Sequence, residues 1–222
     1  MAVAYDATSA PTDGTSLSWS HTSGVGARVG IVFSYYTTFD TIGFTWDGVA
    51  MTQVSGPTDQ TAGAELQFSR VGVWMLDDIG DDETITVAST GGTAVIKSAR
   101  AYTLTADDEV EFIDDANFDS AAVANPSGTI TSEGRDMFVA QIFASGQDDA
   151  TGVTPLTNWT ADLETDNGTN IRGEYRYDTI QSGNVTVGWT QTSEDAFGVA
   201  AGFSQVAPPV GVLAMHHRRL MS

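Results

Sequence analysis

The sequence predicts an all-β protein: an antiparallel β-sandwich, jelly-roll-like, with eight to ten strands drawn from two quasi-repeated halves. Three observations carry this. Apolar residues alternate with small or polar ones at period two in segment after segment, as in strands with one buried face. Turn-forming clusters recur about every 8–14 residues, and glycine fills 23 of the 222 positions. No window combines a 3.6-residue apolar stripe with helix caps. Short, evenly spaced strands belong to sandwiches, jelly rolls and barrels.

In chain order, Val29, Ile31, Phe33 and Tyr35 alternate with Gly30, Val32, Ser34 and Tyr36. A Trp-containing segment follows around Trp46, then a strand from Gln67 to Leu76 in which Val71, Val73 and Met75 alternate. Thr84-Ile85-Thr86-Val87 and an alanine-rich strand from Ala94 to Leu104 close the first half. The second half repeats the order. Met137, Val139, Gln141 and Phe143 alternate, and a segment around Trp159 follows. Ile171 to Tyr177, then Val185, Val187 and Trp189, then Ala196 to Phe203 complete it. Each half also opens alike, with His21-Thr22-Ser23-Gly24-Val25-Gly26-Ala27-Arg28 in one and Thr131-Ser132-Glu133-Gly134-Arg135 in the other.

No Pro- or Ser-rich linker separates the halves, so residues 1–205 are expected to form a single sandwich domain, with repeats at about 14–104 and 128–204. Tandem domains of about 105 residues are the alternative. Residues 105–127 are acidic and read as a long connecting loop. Residues 206–222 contain a Pro-Pro spacer, which favours extended geometry. The apolar-basic segment beyond it, with Leu213, Met215, His216, His217, Arg218, Arg219 and Leu220, is expected to dock on another subunit.

The charge excludes some functions. There are 29 acids against nine bases, a formal net charge of −20, and no cysteine. Nucleic-acid binding needs a basic footprint that the body lacks. Disulfides, thiolate zinc sites and a cysteine nucleophile are excluded outright. No apolar run reaches about 18 residues, so no membrane insertion is expected. Met1 to Asp6 lacks the basic segment and apolar core of a secretory signal. The acids are 21 Asp and eight Glu, and the bases are eight Arg and one Lys. Many Asp with almost no Lys suits multimolar salt, where a Debye length of about 3 Å screens repulsion between exposed carboxylates. An ordinary acidic chain is the alternative. The charge also divides along the chain, because residues 1–215 hold every acid and seven of the nine bases.

Chemistry-bearing motifs are sparse. No G-x-S-x-G, H-E-x-x-H, Walker A or G-x-G-x-x-G pattern occurs, and no catalytic residue is assigned. Paired carboxylates such as Asp77-Asp78 and Asp107-Asp108 admit an acid-based glycan hydrolase as a third-ranked reading, which needs two carboxyls facing each other across a sugar. Asp115, Asn117 and Asp119 place oxygens on alternate residues, a candidate site for a Ca or Mg ion. Otherwise no cofactor is expected. Trp46 and Trp159, near turn signals, are candidates for stacking on a glycan, while Trp189 falls in phase with core positions.

The chain resembles β-sandwich surface proteins of tailed viruses, in their head-decoration, turret and fibre modules. The carrying segments are Arg28-Val29-Gly30-Ile31-Val32-Phe33, Trp46 to Val54, Gly72-Val73-Trp74-Met75-Leu76, Thr84-Ile85-Thr86-Val87 and the short tail with Met215-His216-His217-Arg218. The resemblance implies a non-enzymatic virion protein on the capsid surface. It would be a trimer or pentamer docked on the major capsid protein or another virion protein, and could touch a host-surface glycan. The acidic, lysine-poor composition adds a halophilic archaeal host. A carbohydrate-binding adhesion module is the alternative.

Overall fold

The computed structural model describes residues 3–10, 14–37, 42–59, 69–91, 95–146, 152–166, 171–177 and 182–206. Nine strands form the first half: β1 (Ala4–Ser9), β2 (Ser18–Thr22), β3 (Ala27–Thr37), β4 (Gly43–Trp46), β5 (Val49–Ala50), β6 (Thr52–Asp59), β7 (Ser69–Asp77), β8 (Thr84–Thr90) and β9 (Val95–Thr105). Eight form the second: β10 (Val110–Val123), β11 (Ser127–Ile130), β12 (Met137–Ser145), β13 (Thr154–Pro155), β14 (Trp159–Asp166), β15 (Ile171–Tyr177), β16 (Val185–Thr190) and β17 (Glu194–Gln205). No helix among the described residues is long and apolar enough to cross a membrane.

The first half pairs like one long hairpin rolled up: β1 with β9, β2 with β8, β3 with β7, β4 with β5. Further pairing of β3 with β9 and β4 with β8 gives a five-stranded sheet, β1-β9-β3-β7-β6, and a four-stranded sheet, β2-β8-β4-β5. The second half repeats the plan as β10-β17-β12-β15-β14 and β11-β16-β13. This rolled hairpin is the jelly-roll arrangement. All the pairings are antiparallel, as the period-two pattern requires.

The all-β sandwich class is as the sequence predicts, but the strand number is larger than eight to ten. Seventeen strands are present among the described residues, because each half builds two sheets of its own. The repeats also start earlier, at β1 and β10. Residues 105–127 are not a loop. Most of that segment is the 14-residue strand β10, paired with β17 from Val110 to Val123. Its acids obscured it. At a sheet edge only one side of the backbone is paired, and charged side chains are tolerated there. The connection between the halves shrinks to residues 106–109.

Three apolar clusters fill the layers. One lies inside the first half, with Trp19, Val32, Tyr36, Phe44, Trp46, Trp74 and Val87. A second lies inside the other half, with Val139, Phe143, Trp159, Tyr175, Val187 and Trp189. The third joins the two five-stranded sheets, combining Val29, Ile31, Phe33, Val71 and Tyr102 with Phe138, Ile142, Phe197, Val199 and Phe203. Both five-stranded sheets are therefore buried on two faces, which is why β12 is buried at all nine positions. In this stack β3 meets β12, β7 meets β17 and β6 meets β10. One sheet runs across the other in reverse order, an approximate twofold relation between the halves.

Two glycines show how tightly the layers approach. A Cβ on Gly173 would lie 2.3 Å from the Phe143 ring, which itself stacks on Trp189 at 4.0 Å. Gly188 has φ 126°, and a Cβ there would meet the Pro126 carbonyl oxygen at 2.0 Å. Its backbone is held from β12 by buried Gln141, whose amide donates to Gly188 O at 2.9 Å and accepts from Gly188 N at 2.9 Å.

Candidate functional site

The two candidate sugar-stacking residues are core residues. Trp46 ends β4 and Trp159 begins β14, close to turns as their sequence context suggests, but both rings point inward and are 3% and 6% exposed. Trp46 lies over Gly30, and its ring is 5.0 Å from that of His21. Trp159 donates to Thr186 O at 3.3 Å and meets Tyr177 edge-on. All five tryptophans are buried. Turn proximity fails as a guide here because a residue at a strand end still obeys the strand's in-out alternation.

Asp115, Asn117 and Asp119 do share one face of β10, as their spacing predicts. That face turns toward β6 at the rim of the interface between the halves. Ser55 Oγ donates to Asp115 Oδ2, Thr58 Oγ1 donates to Asn117 Oδ1 at 2.8 Å, and Asn117 Nδ2 donates to Asp115 at 3.2 Å. One oxygen each of Asp115 and Asn117, two of the three proposed ion ligands, thus binds a hydroxyl of the other half. Among the described residues no group of three His, Cys, Asp or Glu is placed to hold a metal. The docking-tail residues Leu213, Met215, His216, His217, Arg218, Arg219 and Leu220 lie outside the described residues.

The densest polar chemistry joins the halves. Arg100 on β9 is 7% exposed and pairs with Glu174 on β15, which is 1% exposed. Ser98 Oγ also donates to Glu174, and Arg100 donates to Asp162 O at 3.2 Å and Thr8 Oγ1 at 3.3 Å. Tyr102 OH donates to Asp162 at 2.9 Å, Arg176 binds the other Asp162 oxygen at 2.9 Å, and the Arg176 guanidinium lies 4.4 Å from the Tyr5 ring centre. Burial raises the Glu174 pKa, with Arg100 and Ser98 pulling against it. Burial also works against the Arg100 cation, and the Glu174 carboxylate overcomes this and raises its pKa.

The clamp has no counterpart across the approximate twofold. Offsetting β3 by 107 residues matches Arg28 to Arg135, Val32 to Val139 and Tyr36 to Phe143. Arg100 lies opposite Phe33, and Ala201 opposite the matching Ala140. Glu174 lies opposite Ile142, and Val71 opposite the matching Tyr35. One side of the interface is therefore a buried ion pair, and its symmetric place holds Ala201 and Val71. A misaligned packing of the two sheets would strand a buried charge.

A second network ties β1, β2 and β9 together around His21, which is 1% exposed. Trp19 Nε1 can only donate, and it binds Ser9 Oγ at 3.0 Å. Ser9 Oγ then donates to His21 Nδ1 at 2.7 Å. His21 Nε2 carries the proton and donates to Thr103 Oγ1 at 3.1 Å, and Thr103 donates to Asp6 at 2.8 Å. Gly24 N donates to the same Asp6 oxygen at 2.8 Å. With the imidazole neutral, as its burial favours, the donors run one way along this chain. Burial lowers the His21 pKa to about 4, against a smaller upward pull from Asp6.

A pH prediction follows from that depressed value. The stabilisation tied to neutral His21 is complete above its unfolded pKa of about 6.5. It is lost as pH falls from there through about 4. His21→Gln cannot titrate there. Wild type is expected to lose about 3 kcal/mol relative to this variant between pH 7 and about pH 3.5. Parallel denaturation curves of both proteins across that range provide the check, and equal pH dependence would contradict it.

Sequence reasoning missed both networks. Arg100 stands alone between Ala99 and Ala101, and Glu174 between Gly173 and Tyr175. A charge at an inward position of an apolar strand was the available signal, but its partner lies 74 residues away. No protein-family model matches the chain, and no curated protein and no solved structure matches it.

Proposed function

We propose that the chain is a structural protein of a virion, displayed on the capsid surface as a decoration or turret component of a tailed virus with a halophilic archaeal host. On this reading it acts as a rigid spacer and contributes to host-surface attachment. The supporting observation is the doubled jelly roll itself. Two sandwiches of the same strand order are fused back to back through a third apolar core and a buried ion pair. Their tryptophans are spent on packing, and turns such as 78–83 and 106–109 are rich in acids. Such a block suits mechanical display in strong salt, where its −20 charge keeps it hydrated and dispersed.

The acidic body and basic tail supply the docking mode: residues 212–222 grip a neighbouring acidic subunit. In multimolar salt the full chain is expected to form a trimer or pentamer, and a chain ending at Val206 is expected to be displaced toward monomer. Light scattering on the two proteins reads this directly. A full chain that stays monomeric at high salt, like the shortened one, would count against the assembly.

A further inference from the structure

We infer that the second half of β1, Asp6 to Ser9, is an acid-released strap, held over His21 by polar contacts and freed when that imidazole is protonated. β1 is an edge strand of its sheet and pairs with β9. None of its six positions is fully buried, whereas β2 alternates between exposed and buried and β9 is buried from Ser98 to Leu104. A register shift between Tyr5 and Ala7 divides β1. Ahead of the shift the chain has apolar anchors: Val3 is 1% exposed, and Tyr5 stacks on Phe138 at 6.2 Å. Beyond it the ties are polar. Asp6 accepts from Thr103 and Gly24, Thr8 donates to Ala101 O at 2.9 Å, and Ser9 donates to His21. An edge position with few buried apolar contacts marks a segment that opens by itself.

His21 couples that opening to pH. The Ser9 hydroxyl faces it from β1, the Trp46 ring from β4, Thr103 from β9, and Ile85 lies opposite it on β8. Asp6, reaching it through Thr103, is the charge that acts on the ring. In the turn before β8, Asp81 accepts from Gly26 N and Glu83 lies against Gly80. A second proton makes Nδ1 a donor, so Ser9 Oγ, already receiving Trp19 Nε1, loses the acceptor of its own proton. It also puts a cation at a position 1% exposed. Water reaches the ring at least cost by lifting residues 6–9, since Trp46, Ile85, Val87 and Ala101 pin β4, β8 and β9 in the core. Burial lowers the ring's pKa to about 4 with the strap closed, and an open strap returns it toward about 6.5. Falling pH therefore favours the open form. Release uncovers the β9 edge from Ala101 to Thr103, which can then pair with another extended strand. The inference holds whether or not the chain belongs to a virion.

Hydrogen exchange of the full chain, read by mass spectrometry and corrected for intrinsic rates, tests this. Between pH 7 and about pH 4 the protection of residues 7–9 is expected to fall at least about tenfold, while β12 stays protected. His21→Gln keeps a donor and an acceptor but does not titrate, and residues 7–9 are expected to keep their protection in it. Should that variant fold poorly, NMR of the His21 ring in the unmodified chain provides the second measurement. The ring is expected to titrate below its ordinary value of about 6.5. Equal protection of residues 7–9 at both pH values, or a loss that comes only together with that of β12, would overturn the inference. So would an undiminished loss in folded His21→Gln, or a ring that charges near its ordinary value while residues 7–9 stay protected.

Discussion

Arg100→Met is expected to destabilise the protein by about 3–5 kcal/mol, the usual cost of stranding one member of a buried ion pair. For a chain of this size that corresponds to a fall in melting temperature on the order of 10 °C. The substitution leaves Glu174 at 1% exposure with Ser98 as its remaining side-chain donor, and removes the donors to Asp162 O and Thr8. Glu174→Leu alone leaves Arg100 buried in the same way and is expected to cost a similar amount. The double variant Arg100→Met/Glu174→Leu is the informative one. The symmetric place in the interface already holds Ala201 and Val71. An apolar pair is therefore compatible with this packing, and the double variant is expected to return to within about 1 kcal/mol of wild type, or above it. Denaturant titrations of the four proteins complete the cycle. A double variant about as unstable as either single would show that the pair itself, and not the stranding of a charge, holds the halves together, and one as unstable as the sum of the singles would show that the two residues act independently.

Trp46→Ala and Trp159→Ala are each expected to cost about 3–5 kcal/mol, as large-to-small changes in a closed core do. Trp46 packs within van der Waals contact of Gly30, where a Cβ would come within 2.7 Å of its ring. Its loss opens a cavity between β3 and β4 beside His21. Trp159 closes the other half's core against Tyr177. The same pair of variants separates a packing role from a sugar-stacking role. A binding platform loses ligand when its ring is removed but keeps its melting temperature. These residues are expected to do the reverse, and unchanged melting of either variant would restore the glycan reading.

The fold was legible wherever one face of a strand is buried and the other is wet. β8 and β16, Thr84 to Val87 and Asn184 to Val187, announce themselves by alternation, and their match revealed the repeat. Legibility failed in two physical situations. In β10 the rim face carries Asp115, Asn117 and Asp119, whose partners are hydroxyls of β6, so composition suggested a loop. In β9 both faces are buried from Ser98 to Leu104, so a charge such as Arg100 carries no local sign of its partner. The layering was hidden for the same reason. Nothing local says that β3 has its own-half core on one side, through Val32 and Tyr36, and the other jelly roll on the other, through Ile31 and Phe33. The His21 network was obscured by abundance. In a chain so rich in Ser and Thr, only the register of β1, β2 and β9 selects Ser9 and Thr103 as its partners.

The virion reading meets its most direct test in electron microscopy of intact particles from a high-salt lysate, labelled with gold-conjugated antibody against the purified chain. Regularly spaced label on the outside of the capsid, removed together with the protein when the salt is lowered, is the expected result. Label confined to cell debris, with particles that contain no trace of the chain, would contradict it.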